Sequence, residues 1–205
     1  VDECYSDIFR MNRPKPPGAL EAAASLGEGL DNLVIFNSLS KRSNISGMRA
    51  GFIAGDEKII ESYKLLVSNG ASPVPIPVQK VAAALYEDEE HHIEACLHYD
   101  KNFQIVEKYL KPFADNFKVP GGGFFLWLKV RDDEEAAKIL WNKFSLRVMP
   151  GSFMGKKING INPGSGYLRI SLVDTSEIVE ETMKRLSLFF MFLKVVHLSQ
   201  FCCRY

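Results

Sequence analysis

The chain has 205 residues, of which 46% are hydrophobic and 24% are charged, and its 25 basic side chains balance its 25 acidic ones. A net charge of zero leaves no excess of cations to neutralise phosphates, which argues against nucleic acid and anionic membranes as partners. This length is enough for one large or two small domains with a buried core.

Cysteine usage favours a reducing, cytoplasmic setting, because the four cysteines form no Cys-x-x-Cys pair and have no regular spacing. The N-terminal residues include no basic segment followed by an apolar run, so we expect no signal peptide. The apolar stretch at residues 186–196 contains Lys194 and is shorter than the roughly 20 residues that a membrane span requires. We therefore expect neither a disulfide framework nor a membrane partner.

Helices alternate with short apolar strands in the first half of the chain. Helical periodicity marks residues 19–26 and 57–67, and the apolar runs 32–37 and 49–54 predict strands that are buried on both faces. A polar connector at 38–47 joins these strands. The alternation is typical of an α/β sheet with parallel strands and helices on both faces.

The second half has the texture of a smaller α+β unit. Apolar residues at helical spacing run for some thirty residues from Pro77, as two helices or one long bent helix, and the pattern ends near Pro112. The remaining elements follow in order: strands at 117–119 and 124–130 around a glycine turn, a helix at 132–144, strands at 147–149 and 167–172, and a closing helix at 175–190. We predict three parts, at 1–95, 96–190 and, as an atypical tail, 191–205.

The polar connector carries the most informative group of residues. Such a loop is usually a solvated link between strands, but here hydroxyls, a lysine and an arginine collect where a strand ends, the edge at which open α/β sheets bind ligands. Ser38, Ser40 and Arg49 together offer hydroxyl and bidentate N–H donors to a phosphate. The Lys41 amine is able to form a covalent bond with a carbonyl carbon.

The pattern Ser-x-Ser-Lys, followed by Gly-x-Arg-x-Gly-Phe with the arginine eight residues after the lysine, resembles the cofactor-lysine segment of the class I/II aminotransferases. These are fold-type I enzymes that use pyridoxal 5′-phosphate. The resemblance implies that Lys41 binds the cofactor covalently and that Ser38, Ser40 and Arg49 hold its phosphate. It also implies the fold, namely the C-terminal part of a large domain built on a parallel or mixed sheet, followed by the small α+β domain.

Two further motifs fall in the order that this family requires. Asp2 and Tyr5 match its Asp-x-x-Tyr, so that Asp2 would pair with the pyridinium nitrogen and Tyr5 would hydrogen-bond the ring 3′ oxygen. Arg169, in Gly-Tyr-Leu-Arg-Ile-Ser, would bind the α-carboxylate of the substrate. Read without the family, Arg169 could also be a structural ion-pair partner in an apolar strand.

Within the family, the segments Ser-Leu-Ser-Lys-Arg-Ser-Asn and Asn-Pro-Gly-Ser-Gly-Tyr are similar to the N-succinyldiaminopimelate aminotransferases of bacterial lysine biosynthesis. The resemblance implies amino transfer from glutamate to N-succinyl-2-amino-6-ketopimelate, and a homodimer whose active sites draw residues from both subunits. It also implies that segments which precede Asp2 in the family are missing here, so this portion by itself is expected to be inactive. A lyase or decarboxylase on the same fold, and a non-catalytic remnant, remain as alternatives.

A histidine-rich segment was considered as a metal site. His91 and His92 are adjacent, so on a helix they point about 100° apart and do not converge easily on one ion. With His98 and several glutamates nearby, the pattern favours a solvated acidic face with scattered imidazoles. We predict no metal.

Overall fold

The computed structural model describes residues 1–202, except the side chains of Ala114, Asn116 and 195–202. The chain divides into two compact units. The first comprises Val1–Leu97 and Gly121–Gly123, and the second comprises His98–Pro120 and the chain from Phe124. The division of the chain into 1–95, 96–190 and 191–205 stays a prediction.

The first unit contains two strands and most of the helices that the periodicity predicts. Its elements, in chain order, are α1 (Ala19–Ser25), β1 (Val34–Ser38), α2 (Leu39–Arg42), β2 (Gly51–Gly55), α3 (Glu57–Gly70), α4 (Ile76–Glu87) and the first part of α5 (Glu90–Leu110). Asp56 explains where α3 begins, because its carboxylate accepts hydrogen bonds from the N–H groups of Lys58 (2.8 Å) and Ile59 (3.2 Å). The thirty-residue helical pattern is two helices, interrupted at Asp88, whose backbone is extended.

The expected parallel arrangement of the two strands is wrong. β1 and β2 pair antiparallel from Val34 opposite Gly55 to Ser38 opposite Gly51. The connector folds back on itself, since the Leu39 N–H donates to the Ala50 carbonyl over 3.2 Å, and the second strand therefore returns beside the first. Within the described residues 1–202, a parallel neighbour of β1 is present only as a single bridge between Asp2 and Phe36.

The expectation that both faces of these strands are buried is also wrong. Ile35 is 6% exposed, but the next residue, Phe36, is 47% exposed and its neighbour across the sheet, Phe52, is 44% exposed. The apolar run predicted a strand that is buried on both faces. The observed strand is buried on one face only, and its other face carries exposed aromatic rings.

The second unit is built on a three-stranded antiparallel sheet in the order β3 (Phe125–Lys129), β5 (Tyr167–Ser171), β4 (Met149–Pro150). Helices α6 (Asp133–Phe144) and α7 (Ser176–Cys202) accompany it. The strand expected at 117–119 is reduced to one bridge between Phe117 and Leu128. The closing helix does not stop at residue 190, because α7 continues to Cys202 and takes in most of the segment that was expected to be an atypical tail.

Alternation along the strands explains the core of the second unit. Leu126, Leu128, Leu168 and Ile170 point to one face of the sheet and are at most 5% exposed. That face packs with apolar residues of the helices, among them Phe103, Val106, Leu140, Met183, Leu186 and Phe189. The opposite face of the sheet carries Trp127, Tyr167 and Arg169. Within residues 1–202, no helix has the length and apolar character needed to cross a membrane.

Candidate active site

Lys41 lies on α2, a single helical turn directly after β1. The turn begins because the Ser38 hydroxyl accepts a hydrogen bond from the Ser40 N–H over 3.1 Å, which caps the helix. The same hydroxyl donates to the Ser40 hydroxyl over 3.0 Å. The hydroxyls of the two predicted phosphate-binding serines are therefore neighbours, and the serines lie three residues and one residue before the predicted cofactor lysine.

Tyr5 and Lys41 are 36 residues apart in the sequence, and the fold brings them together. The Lys41 ammonium lies 5.7 Å from the centre of the Tyr5 ring, within the range of a cation–π contact. Tyr5 reaches this position because the segment before it runs beside β1, with the Glu3 N–H donating to the Phe36 carbonyl over 2.8 Å.

The charges of Asp2 and Lys41 both affect the pKa of the Cys4 thiol. Burial raises the pKa of the Cys4 thiol, the hydrogen bond and charge of Asp2 raise it further, and the charge of Lys41 lowers it. The Cys4 N–H donates to Asp2 Oδ1 over 2.9 Å, and this bond holds the pKa of the Asp2 carboxyl below its usual value. Asp2 is therefore ionised at neutral pH.

Arg49 has a backbone conformation that few side chains adopt. Its φ of 52° and ψ of 40° lie in the left-handed region, which is unfavourable for a residue with a long side chain. The next residue, Ala50, accepts hydrogen bonds from the Leu39 N–H and, over 3.4 Å, from the Ser38 hydroxyl, so Arg49 is held beside the serines. Its guanidinium has five N–H groups, and one of them donates a hydrogen bond to the Ser46 carbonyl over 3.1 Å.

Arg169 belongs to the second unit, whereas the other predicted site residues belong to the first: Asp2, Tyr5, Ser38, Ser40, Lys41 and Arg49. It lies on the central strand β5, opposite Trp127 on one side and Met149 on the other. The guanidinium lies 4.4 Å from the centre of the Phe125 ring. Among the ion pairs of the side chains that the structure describes, none involves Arg169.

A cleft of about 510 Å³ opens on the face of the sheet that carries Arg169, and the sequence did not predict it. Trp127 and Tyr167 form one wall, with their rings edge to face at 6.3 Å, and the loop from Gly151 to Gly164 forms another. The loop backbone is closely packed, because a Cβ on Gly164 would lie 2.0 Å from the Gly151 carbonyl oxygen. The alternation of large side chains in β3 and β5 was the signal that could have indicated this face.

Asp133 at the start of α6 holds the two ends of this loop. Its carboxylate accepts hydrogen bonds from the Ser152 N–H (2.8 Å) and the Gly166 N–H (3.0 Å). Burial tends to raise the pKa of Asp133, but these hydrogen bonds outweigh burial and leave the pKa below its usual value. The ionised carboxylate therefore stabilises the folded loop.

Replacing Asp133 by asparagine should destabilise the folded protein by about 1–3 kcal/mol at neutral pH, since the amide accepts with one oxygen only and leaves one of the two partly buried N–H groups unpaired. The folded-state pKa is lowered, so the stability due to Asp133 is present above the unfolded-state pKa and is lost as the pH falls through the folded-state value. Urea unfolding at pH 7 and pH 3 measures both effects. Glu134→Gln, an exposed change on the same helix, is the control, and a loss that is equal at both pH values would contradict this role for Asp133.

The expectation of a solvated acidic face at the histidines is wrong for His92, which is 3% exposed. Its Nε2–H donates to the Asp7 carbonyl, and Nδ1 lies 3.1 Å from a Glu89 carboxylate oxygen. Sequence reasoning also missed Arg42, beside Lys41, which is 4% exposed and reaches the same glutamate. No group of three or more histidine, cysteine or carboxylate side chains in the described part of the chain could hold a metal ion.

Comparison with known proteins identifies the family of this chain. A sequence model of the family described as aminotransferase class I and II matches residues 1–186. The chain belongs to the class I and II aminotransferases. It is 30% identical over 198 residues to an LL-diaminopimelate aminotransferase from Natranaerobius thermophilus, covering 92% of this chain and 47% of that enzyme.

Solved aminotransferases share the fold. One from Neisseria meningitidis is 39% identical with a TM-score of 0.83. The matched region covers 92% of this chain and 48% of the Neisseria chain. Another from Helicobacter pylori is 32% identical with a TM-score of 0.80. The aminotransferase chain described here thus spans about half the length of the relatives that it matches.

Class I and II aminotransferases use pyridoxal 5′-phosphate, and the residues of the first unit fit this cofactor. They provide an amine for its carbonyl carbon, adjacent hydroxyls and a guanidinium for its phosphate, and an ionised carboxylate for its ring nitrogen. This donor set is the chemistry that the cofactor needs, and it comes from Lys41, Ser38, Ser40, Arg49 and Asp2.

Proposed function

We propose that the enzyme to which this chain belongs transfers amino groups between an amino acid and a keto acid with the aid of pyridoxal 5′-phosphate. The observation that carries the proposal is the contact between Lys41 and Tyr5 beside the capped turn at Ser38 and Ser40. When bound, the cofactor supplies an electron-withdrawing ring that stabilises negative charge on the substrate Cα.

Lys41 has two roles in this proposal. Its amine would hold the cofactor by a covalent bond at the carbonyl carbon. The same amine would act as the general base that takes the proton from the substrate Cα and as the general acid that returns it. Tyr5, in contact with Lys41, hydrogen-bonds the ring 3′ oxygen and keeps the ring beside that amine.

The other site residues orient the reactants. Asp2 pairs with the ring nitrogen and keeps it protonated, which its lowered pKa supports because the carboxylate remains charged. Ser38, Ser40 and Arg49 hold the phosphate, and the strained backbone of Arg49 is consistent with a residue selected for its position. Arg169 binds the α-carboxylate of each substrate in a bidentate pair.

The proposed substrates are glutamate as amino donor and N-succinyl-2-amino-6-ketopimelate as acceptor, in lysine and diaminopimelate biosynthesis. The segments around Lys41 and before Tyr167 support the succinylated acceptor. Several relatives are instead named for LL-diaminopimelate itself, and one is named for a tetracycline intermediate. We also propose that the enzyme works in the cytoplasm as a homodimer.

The experiment runs the reaction in the direction in which glutamate forms, with the complete enzyme, cofactor and 2-oxoglutarate. N-succinyl-LL-diaminopimelate and LL-diaminopimelate are compared as donors at equal concentration. We expect glutamate formation that depends on 2-oxoglutarate and a higher kcat/KM for the succinylated donor.

Each alternative has its own signature in this assay. A higher kcat/KM for LL-diaminopimelate would show that the enzyme prefers the substrate for which several relatives are named. The transaminase reaction itself would still stand. Release of carbon dioxide or ammonia without 2-oxoglutarate would replace the transaminase by a decarboxylase or lyase. The mass of the complex in solution, measured by light scattering, tests the homodimer.

A further inference from the structure

Arg42 follows Lys41 on α2, and its guanidinium is buried against the end of another helix. It donates to the Leu85 carbonyl over 2.7 Å, to the Asp88 carbonyl over 3.4 Å and to the Tyr86 carbonyl over 3.5 Å. These carbonyls lie at the C-terminal end of α4, where helix carbonyls lack partners within the helix and the helix dipole is negative. Arg42 therefore caps α4 from outside.

The same guanidinium contacts two carboxylates on two other segments. It donates to Glu89 Oε1 over 2.7 Å, just before α5, and its Nε lies 3.8 Å from Asp7 Oδ2. Asp7 is two residues after Tyr5, whose ring touches the Lys41 ammonium. Arg42 thus joins the turn that carries Lys41 to the segment that carries Tyr5 and to the α4–α5 junction.

Two histidines of α5 reinforce these connections. His92 bridges the Asp7 carbonyl and Glu89, so the two segments that Arg42 contacts are also tied to each other. His91 Nε2 lies 2.8 Å from the hydroxyl of Ser43, the residue after Arg42. The C-terminal end of the turn that carries Lys41 is therefore held by two sets of contacts, those of Arg42 and the one between Ser43 and His91.

The length of α2 makes these contacts important. A helix of four residues forms barely one hydrogen-bonded turn and has no stability of its own in water. Its direction must come from tertiary contacts, which include those of Leu39 in the core of the first unit and those of Arg42 at the α4–α5 junction. Lys41 lies between these two buried residues on the same turn, so their positions fix the position of Lys41.

We propose that Arg42 is a positioning residue, which fixes the Lys41 amine relative to Tyr5 so that proton transfer at the substrate Cα occurs in one geometry. This inference rests on the proposed function. A displacement of the amine by about 1 Å is enough to reduce the rate of such a step by about a hundredfold. Binding of the substrate carboxylate does not involve this network, so KM should be affected much less than kcat.

The test compares Arg42→Gln, Arg42→Lys and Glu89→Gln with the unchanged complete enzyme, with Arg185→Gln as the matched control. Arg185 is also an arginine in an ion pair, with Glu181 at 2.9 Å, but it is partly exposed and lies on α7. Three quantities are measured for each variant: kcat and KM for the amino donor, the rate at which borohydride traps cofactor on Lys41 by peptide mass spectrometry, and the midpoint of thermal unfolding.

We expect Arg42→Gln to lower kcat and the trapping rate about 10- to 100-fold with KM changed by less than about threefold. Arg42→Lys should lie between Arg42→Gln and the unchanged enzyme, because lysine keeps the charge but not the planar fork. Glu89→Gln should show a smaller loss in the same direction, and Arg185→Gln none. The milder two variants decide the matter if Arg42→Gln does not fold.

Folded variants at Arg42 and Glu89 with unchanged kcat and trapping rate would overturn the positioning role. So would a loss that appears only as a lower unfolding temperature, since that is what a purely structural residue produces. If the unchanged enzyme gives no trapped cofactor on Lys41, the proposed function fails instead, and the two failures are thereby distinguished.

Discussion

Replacing Lys41 by alanine in the complete enzyme is expected to abolish the absorbance of the covalently bound cofactor near the edge of the visible range. Amino transfer should fall by at least about 10²–10⁴-fold, which is the contribution of a positioned acid–base group alone. The physical reason is that the Lys41 amine, which lies 5.7 Å from the centre of the Tyr5 ring, is the proposed cofactor-holding and acid–base group. Absorbance spectra and glutamate formation measure the two effects.

Lys80→Ala is the matched control, because Lys80 is an exposed lysine of the same unit, on α4. Its spectrum and rate should equal those of the unchanged enzyme. A Lys41→Ala enzyme that keeps the absorbance band and the activity would show that another residue holds the cofactor. The assignment of the whole motif would then be wrong, since Ser38, Ser40 and Arg49 were identified by their spacing from Lys41.

Replacing Arg169 by glutamine should reduce kcat/KM for amino-acid substrates by about 100-fold, mainly through a higher KM. The loss corresponds to about 3 kcal/mol, the value of two hydrogen bonds between charged groups. Arg169→Lys should recover part of it, because a lysine keeps the charge without the bidentate geometry. The cofactor absorbance should not change in either variant, since Arg169 is proposed to contact only the substrate.

Arg147→Gln is the control for this prediction, as Arg147 is an exposed arginine of the same unit and precedes β4. Steady-state kinetics with glutamate as the varied substrate give the required constants. If Arg169→Gln leaves kcat/KM unchanged while Arg147→Gln lowers it, the carboxylate partner has been assigned to the wrong arginine.

Local patterns were sufficient for most of the longer helices and for most strands, but they missed the short helix α2. The local sequence at 124–130 and 167–172 predicted β3 and β5, and the pattern at 132–144 predicted α6, which Asp132 caps by accepting a hydrogen bond from the Glu135 N–H. These signals succeed because capping and side-chain alternation act over a few residues. They failed for the direction of β2, since strand pairing depends on how the connector folds.

The site shows the same division between local and distant information. The spacing of Lys41 and Arg49 identified a family, whose chemistry the hydroxyl and guanidinium groups fit. Nothing in the sequence indicated that Arg42 is a buried connection or that His92 is inaccessible to solvent. An arginine next to a lysine in a polar loop has the pattern of a surface charge, and its burial follows only from the acceptors that the fold places around it.

The sequence by itself determined the chemistry available to this protein. The covalent structure of the chain fixes which functional groups it carries, and at what spacing, around Lys41 and at Asp2, Tyr5 and Arg169. The tertiary structure decided which of these groups meet. Tyr5 touches Lys41, and Arg42 ties its turn to Leu85, 43 residues away, while His92 reaches Asp7 across 85 residues. Such contacts depend on the packing of whole elements, and no local pattern carries that information.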